Sequence, residues 1–342
     1  MPRLTRPPAL ISNAVDAALE VSTVGGFSRL GYRSRRWLFE WDLRLPDMSG
    51  RVVLLTGATS GIGKVAALML AEAGANLILV GRNEPRLAGI VCECRALAAP
   101  GQRIDSIRAD LTLLARARDL VAAVRRMTNV VDVIVHNAGA MTHQYTVTEE
   151  GFEVTFASQV LSQYLITSGL LPLLHAADHP RVITVSSGGM YAERLEPDSV
   201  QMSASEYDGV RAYARAKRAQ VVMNEEWARR EPQIAFHSMH PGWADTPGVA
   251  DALPGFRRVM GPVLRTPAQG ADTIVWLAGA APDDAPSGRF WLDRRPRTTY
   301  RLPRTRPEPG AAARLWEIVD GLAASEGVDD SAEGIDRPPE TG

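Results

Sequence analysis

The stretch Val52-Val53-Leu54-Leu55-Thr56-Gly57-Ala58-Thr59-Ser60-Gly61-Ile62-Gly63 decides how the rest of this 342-residue chain is read. Val52 to Leu55 is a continuous apolar run of strand length, and a glycine-rich turn follows it without a gap. A helix is expected from about residue 63 to 73. Glycines at the spacing G-x-x-x-G-x-G let the backbone turn sharply and come close to a pyrophosphate, while the helix that follows offers unpaired N–H groups to the anion. A glycine-rich turn alone says little; one placed between a strand and a helix has the context that dinucleotide binding requires. Thr56, Gly57, Ser60, Gly61, Ile62 and Gly63 are therefore candidate cofactor-binding residues.

Outward from this stretch the same alternation continues. Strands are expected at 76–80, 103–108, 131–136, 182–186 and 234–240, with helices at 85–98, 113–127, 151–174 and 212–229. The apolar runs are continuous rather than alternating, as in strands buried on both faces. Strands separated by helices of this length imply βαβ units, hence an α/β fold with a doubly wound, Rossmann-type parallel sheet and helices on both faces.

The end of the second strand indicates which dinucleotide fits. NAD-binding folds usually place an acid there for the ribose 2′-hydroxyl. This chain has Gly81-Arg82, and a guanidinium can pair with a 2′-phosphate instead. NADP(H) is the expected cofactor, ahead of NAD(H).

Tyr213-Ala-Arg-Ala-Lys217 lies in a segment of good helical propensity, so its phenol and ammonium share one helix face. A nearby ammonium should stabilise the phenolate and lower the tyrosine pKa from its ordinary ~10. Ser187 follows a strand whose carboxyl end faces the ligand side of such a sheet, and Asn137-Ala138-Gly139 follows another.

Taken in this order, Thr56 to Gly63, Asp110-Leu111, Asn137 to Gly139, Ser187, Tyr213 with Lys217, and the Pro241-Gly242 turn resemble the short-chain dehydrogenase/reductase family, from about residue 49 to 300. Longer strings at 181–190, 240–249 and 287–295 are similar to one narrower group within it. The resemblance implies about seven strands and an oxidoreductase moving hydride between nicotinamide and a carbonyl/alcohol substrate. It implies Tyr213 as acid/base, Lys217 as the group that lowers its pKa and holds the nicotinamide ribose, and Ser187 as the group orienting the carbonyl. It further implies Asp110 beside the adenine, Asn137 supporting the cofactor site, and Thr246 at the nicotinamide end.

Two departures qualify that reading. The family's Asn in an N-x-x-G pattern, which holds a relay water, is Gln159 here, with Ser162 in place of the Gly. Gln159 either carries the relay in shifted form or impairs it. Ser187 and Tyr213 are also 26 positions apart, about twice the separation in the family's shorter members. The added residues, including Tyr191, Leu195, Met202 and Tyr207, are read as a loop walling the substrate site.

Composition bounds the rest. Net charge is −1 with 45% hydrophobic residues, which fits a globular protein and argues against a nucleic-acid partner. No apolar run reaches the ~18 residues that span a bilayer, and the N-terminus does not read as a signal peptide. Cys92 and Cys94 point apart on a helix and have no metal-ligand partners nearby, so neither a disulfide nor a metal is expected, and a reducing, cytoplasmic location is. His136, His237 and His240 read as packing residues, and His143 with Tyr145 as even candidates for lining the pocket.

The chain divides into an extension (1–48), the Rossmann domain (49–302), and a C-terminal helix with an acidic tail read as disordered (303–342). In the extension, Ile11, Val15, Ala18 and Leu19 fall at helical spacing until Gly25-Gly26. Residues 32–41 mix Arg33, Arg35 and Arg36 with Trp37, Phe39 and Trp41. They read either as a strap packed on the main domain or as a peripheral membrane or partner contact, and the extension could also alter a homo-oligomer interface. Beside the enzyme stand two rivals: a cofactor-binding sensor or scaffold with little turnover, and a nucleotide-sugar epimerase or dehydratase. The second would want a G-x-x-G-x-x-G turn that is not present.

Overall fold

The computed structural model describes residues 7–325; the expected acidic tail lies largely outside these residues. In chain order the elements are α1 (Ala9–Val21), α2 (Thr23–Phe27), α3 (Arg29–Leu38), β1 (Val52–Thr56), α4 (Gly61–Glu72), β2 (Asn76–Gly81), α5 (Glu84–Leu97), β3 (Ile104–Arg108), α6 (Leu114–Met127) and β4 (Val133–His136). They continue with α7 (Val154–Phe156), a π-helical turn (Ala157–Leu161), α8 (Ser162–His175), β5 (Arg181–Val185), α9 (Gly209–Arg230), β6 (Ala235–Met239), α10 (Pro247–Ala252), α11 (Pro254–Met260), α12 (Pro267–Gly279), β7 (Arg289–Leu292), β8 (Arg295–Arg297) and α13 (Ala311–Ala324).

The sheet order is β3-β2-β1-β4-β5-β6-β7-β8. The first seven strands run parallel, and β8 is antiparallel to β7. Both faces are buried. Leu54, Ile134 and Val182 turn to α6, α8, α9 and α13, while Val53, Leu55, Val133 and Ile183 turn to α4, α5 and α12. Burial on alternate sides explains why the strands read as unbroken apolar runs. Chain order reverses between β1 and β4, so the crevice where ligands bind opens there, at the carboxyl ends of the strands.

The eighth strand exceeds the expected count. The β7–β8 connection is the two-residue loop Asp293-Arg294, both at positive φ (57° and 54°), the geometry of a tight hairpin normally given to Asn-Gly. Side chains hold it instead. Asp293 is buried and takes Arg265 Nη1 at 2.6 Å, Arg265 Nη2 at 2.8 Å and Arg35 Nη1 at 2.7 Å. Arg294 pairs bidentately with Asp272 at 2.7 and 2.8 Å.

This cluster also seats the extension. Arg35 donates to Asp16 at 2.7 Å and to the Gly26 carbonyl at 2.8 Å, and Arg297 reaches Asp16 at 2.9 and 3.0 Å. Tyr32 and Leu38 are buried, and Trp41 packs edge-on against Tyr32, so the packed reading holds for much of residues 32–41. Trp37 departs from it and is exposed. The residues of α1 that fall at helical spacing do not face inward. Ser12 and Asp16 are buried while Ile11 and Val15 are exposed, because the helix is held by ion pairs rather than by apolar contact.

The segment between β5 and α9 differs from the expected pocket-wall loop in a similar way. Leu195 and Val200 join the core beneath α9 and α13, and Met202 is buried as well. Tyr191 packs with Phe27 and Phe290. Arg218 fastens the segment by donating to the Met190 carbonyl at 2.9 Å and the Glu193 carbonyl at 3.2 Å. Tyr207 instead meets the turn after β4, its hydroxyl 2.7 Å from Thr142 Oγ1.

Removing one charge should expose how much this clamp carries. Asp293→Asn keeps a residue that tolerates positive φ but leaves two buried guanidinium groups without their shared anion. Urea unfolding of the variant should show a loss of ~3–5 kcal/mol. A change within error would mean that the clamp contributes little.

Candidate active site

Two strand-end turns interlock at the crevice. The Thr56 hydroxyl, at the end of β1, accepts from the backbone N–H groups of Asn137 and Ala138, each at 3.1 Å. The Asn137 amide returns two bonds, to the Thr56 carbonyl at 3.1 Å and the Gly57 carbonyl at 3.0 Å. Side chains would destroy this fit: a Cβ at Gly57 would lie 2.8 Å from the Ala138 Cα, and one at Gly63 would lie 2.2 Å from the Gly57 carbonyl oxygen. Gly57 and Gly61 also sit at φ 69° and 54°, where glycine alone is unstrained. Ser60 is the N-cap of α4 and makes no side-chain cap bond, which leaves the first N–H groups of Gly61, Ile62 and Gly63 facing the crevice.

Thr246 arrives from the far side. It caps α10, its Oγ1 accepting from Val249 N at 3.3 Å. Its Cβ and methyl lie 3.3 and 3.2 Å from where a Cβ on Gly61 would be, against the first turn of α4. The Pro241-Gly242 turn is set by Gly242 at φ 76°, where the Arg265 guanidinium occupies the space a side chain would need. His240 Nδ1 accepts from Gly242 N at 3.1 Å, which gives this histidine a structural task. His136 bonds Thr167 Oγ1 at 2.8 Å, and burial pulls its pKa down to about 3, so it packs as a neutral residue.

A cleft of about 590 Å³ runs along the ends of β2 and β3, lined by Arg82, Asn83, Arg108, Ala109, Asp110, Leu113 and Arg116. Register pairs Gly81 with Arg108, which sets Arg82 beside the end of β3. Arg82 is exposed and makes no ion pair or hydrogen bond among the described residues. Arg108 and Arg116 were not candidates on the sequence; the signal was a basic residue at the end of the strand beside β2. Asp110 Oδ1 accepts from Thr112 N at 3.1 Å and Thr112 Oγ1 at 2.8 Å, fixing the turn after β3. Ser162 donates to the Leu111 carbonyl at 2.6 Å, so the residue replacing the family's glycine ties α8 to this cleft.

On α9, capped by Asp208 through Arg211 N at 2.9 Å, Tyr213 and Lys217 project together. The Lys217 ammonium lies 5.3 Å from the Tyr213 ring centroid and donates to the Val185 carbonyl at 2.9 Å. Ser186 locks the helix to β5 by donating to the Lys217 carbonyl at 2.9 Å. Ser187 lies near the Tyr213 phenol and caps the following turn, its Oγ accepting from Gly189 N at 3.2 Å. Burial raises the Tyr213 pKa, with the neighbouring Ser187 hydroxyl opposing the rise, and pulls Lys217 down to about 7. The expected lowering of the tyrosine by its lysine is thus not what the structure presents. Desolvation acts on each group separately, favouring neutral phenol and neutral amine.

Gln159 stands on the π-helical turn and is buried. Its Nε2 donates to the Ala140 carbonyl at 2.7 Å, and its Oε1 lies 3.0 Å from where a Cβ on Gly139 would be. The structure therefore places it behind the Asn137-Ala138-Gly139 turn. Gln220, one turn beyond Lys217, donates to the Gln159 carbonyl at 2.8 Å and joins the two helices. His143 Nε2 bonds the Ala252 carbonyl at 2.8 Å, and Tyr145 stacks edge-on against Tyr207. Cys92 and Cys94 are free thiols, as expected from their spacing.

A glycine turn braced by Asn137, with Ser187 after β5 and Tyr213 and Lys217 on α9, is the arrangement that nicotinamide-dependent dehydrogenases and reductases use. The model of the short chain dehydrogenase family matches residues 51–254, and the chain belongs to that family. Dehydrogenase/reductase SDR family member 12 of Bos taurus is 40% identical over 87% of this chain and 94% of its own length, and this is the narrower group that the longer strings resemble. Retinol dehydrogenase 13 of Mus musculus is 30% identical over 84% of this chain and 89% of its own. A crystal structure from Mycobacterium paratuberculosis superposes with a TM-score of 0.66 at 26% identity, over 83% of this chain and 97% of that one. A Shigella flexneri structure complexed with NADP shares the fold, with a TM-score of 0.58 at 24% identity over 74% of this chain and 100% of that one. The protein is an oxidoreductase of the short-chain dehydrogenase/reductase kind.

The lysine offers a direct check on this electrostatic picture. An amine held at about 7 when folded and near 10.5 when unfolded binds fewer protons in the native state across that interval. Its penalty is full at pH 7 and below, and fades as pH rises towards 10.5. Lys217→Met should therefore unfold at a higher urea concentration than the wild type at pH 7, with the gap closing towards pH 10. A gap independent of pH would show that Lys217 is not desolvated as described.

Proposed function

We propose that this chain is an NADP(H)-dependent enzyme acting on a small carbonyl/alcohol pair, with Ser187, Tyr213 and Lys217 at the reacting centre. The observation that carries the reading is the pairing of Tyr213 and Lys217 on α9, the ammonium 5.3 Å from the phenol ring centroid, with Ser187 at the end of the adjoining strand. The residues fit the cofactor: Gly57, Gly61 and Gly63 form a cradle that side chains would fill, and the arginines at the cleft suit a phosphate.

On this reading Thr56, Gly57, Ser60, Gly61, Ile62 and Gly63 hold the pyrophosphate, with Asn137, Ala138 and Gly139 bracing them. Arg82, joined by Arg108 and Arg116, pairs with the 2′-phosphate, and Asp110 with Leu111 borders the adenine. Pro241, Gly242 and Thr246 close the nicotinamide end. When bound, the nicotinamide supplies or accepts the hydride.

Ser187 orients the substrate oxygen, and Tyr213 passes its phenolic proton to that oxygen in reduction or takes it back in oxidation. Burial keeps the phenol protonated near neutral pH, the form that carbonyl reduction uses. Lys217 stands beside the phenol and contacts the ribose. Gln159 acts by holding the turn at Ala140 in place of a relay water. Residues 1–48 supply a peripheral membrane or partner contact and alter or block the interface of a homo-oligomer. The free thiols suit a reducing compartment such as the cytoplasm.

Fluorescence titration with NADPH and NADH tests the cofactor. NADPH should bind at least ~10-fold more tightly, and Arg82→Ala should erase most of the difference. Equal affinities would remove the claim for NADP(H). With a turned-over carbonyl compound in hand, Tyr213→Phe should lower turnover by ~10²-fold or more while NADPH still binds. NADPH binding without turnover of any carbonyl tried would favour the sensor reading.

A further inference from the structure

The extension carries a surface that the fold does not use. In α1, Leu10, Ile11, Ala14, Val15, Ala17, Ala18 and Val21 share the outward arc, with Leu10 82% and Val21 87% exposed. Three polar residues of the same helix point in, Ser12 and Asp16 being buried and Glu20 meeting Arg35, Arg297 and Arg301, while Asn13 is exposed. A surface helix normally turns its apolar stripe to the core. Here the clamp reverses it.

Next to α1, Val24 and Leu30 are half or more exposed, as is nearly half of Trp37. Arg33 and Arg36 are exposed on α3, and neither they nor Arg29 makes an ion pair among the described residues. Asp16 and Glu20 are the only acids between residues 9 and 37, and both are engaged by arginines. The extension therefore presents exposed aliphatic residues together with arginines outside any ion pair and an exposed indole among them.

We propose that this face of α1 and α3 docks on an anionic lipid bilayer, its aliphatic residues entering the headgroup boundary and Arg29, Arg33 and Arg36 meeting lipid phosphates. The inference deepens the assignment of residues 1–48 as a contact segment and is independent of the reaction. Apolar insertion with a basic surround and an interfacial tryptophan is what such a surface recognises. A second copy fits less well. A two-fold interface brings the same patch together, and here it would set arginines against arginines, since the acids of α1, Asp16 and Glu20, are already engaged.

Pelleting of the full chain with vesicles tests this. Binding is expected to vesicles of phosphatidylcholine mixed with phosphatidylglycerol, much less to phosphatidylcholine alone, and should weaken with added salt. Arg33→Glu/Arg36→Glu should reduce it by about tenfold or more. Leu10→Asn/Val21→Asn should reduce it too, with circular dichroism and NADPH affinity unchanged in both variants. The blue shift of emission on binding should diminish in Trp37→Phe. No pelleting with either vesicle would overturn the proposal, as would equal, salt-independent pelleting with both. A dimer in sedimentation that Leu10→Asn/Val21→Asn converts to monomer, with vesicle binding unaltered, would overturn it in favour of self-association.

Discussion

Everything at the ligand end of the sheet rests on one constraint: two strand-end turns must approach closely enough for Asn137 to bond both the Thr56 and Gly57 carbonyls. Only the missing side chains at Gly57 and Gly63 permit that approach, because a Cβ at either would overlap backbone. The bonds from Asn137 and the returns to the Thr56 hydroxyl fix β1 against β4 at the point where strand order reverses. Once those ends are fixed, the N-terminus of α4 and the turn after β5 face a common space. Gln159 supports the same construction from behind, through Ala140, which gives its extra methylene a use in bracing.

A second organising feature is the charge cluster at Asp293. It holds a two-residue hairpin without glycine, and through Arg35 and Arg265 it draws the extension onto the last strands. Buried ion pairs contribute little net stability compared with apolar packing, but they fix orientation, and breaking one is costly. That trade explains α1. Its acids are required inside, so its aliphatic residues are left outside. The same seating brings Phe27 into edge contact with His240, 4.2 Å between ring centroids, and close to Gly188 beside Ser187. The extension is thus joined structurally to the neighbourhood of the reacting groups.

The fold and the outline of the site were legible in the sequence because they depend on local signals. Continuous apolar strands, glycines at fixed spacing, and a tyrosine and lysine one helical turn apart each state their geometry within a few residues. The boundaries of α9 extend only slightly beyond those expected from propensity. Ser187, 26 positions before Tyr213, could be joined to it through the recurring order of motifs, although the segment between them could not be read correctly. Tyr191, Leu195 and Met202 looked like substrate-facing residues, yet all three are buried, Tyr191 with Phe27 and Phe290 and Leu195 in the core with residues of α9 and α13.

What only the tertiary structure decided has one physical reason: it depends on which surfaces meet after the chain closes. Periodicity can place Ile11 and Val15 on one face of a helix, but the distant Arg297 and Arg301 determine which face is buried. Arg108 and Arg116 become neighbours of Arg82 only when β3 pairs with β2. The protonation of Tyr213 and Lys217 likewise follows from burial rather than from their spacing. The sequence by itself determined a doubly wound nucleotide-binding sheet and the residues that could react; three-dimensional packing decided the environment of each and the face the extension presents to its surroundings.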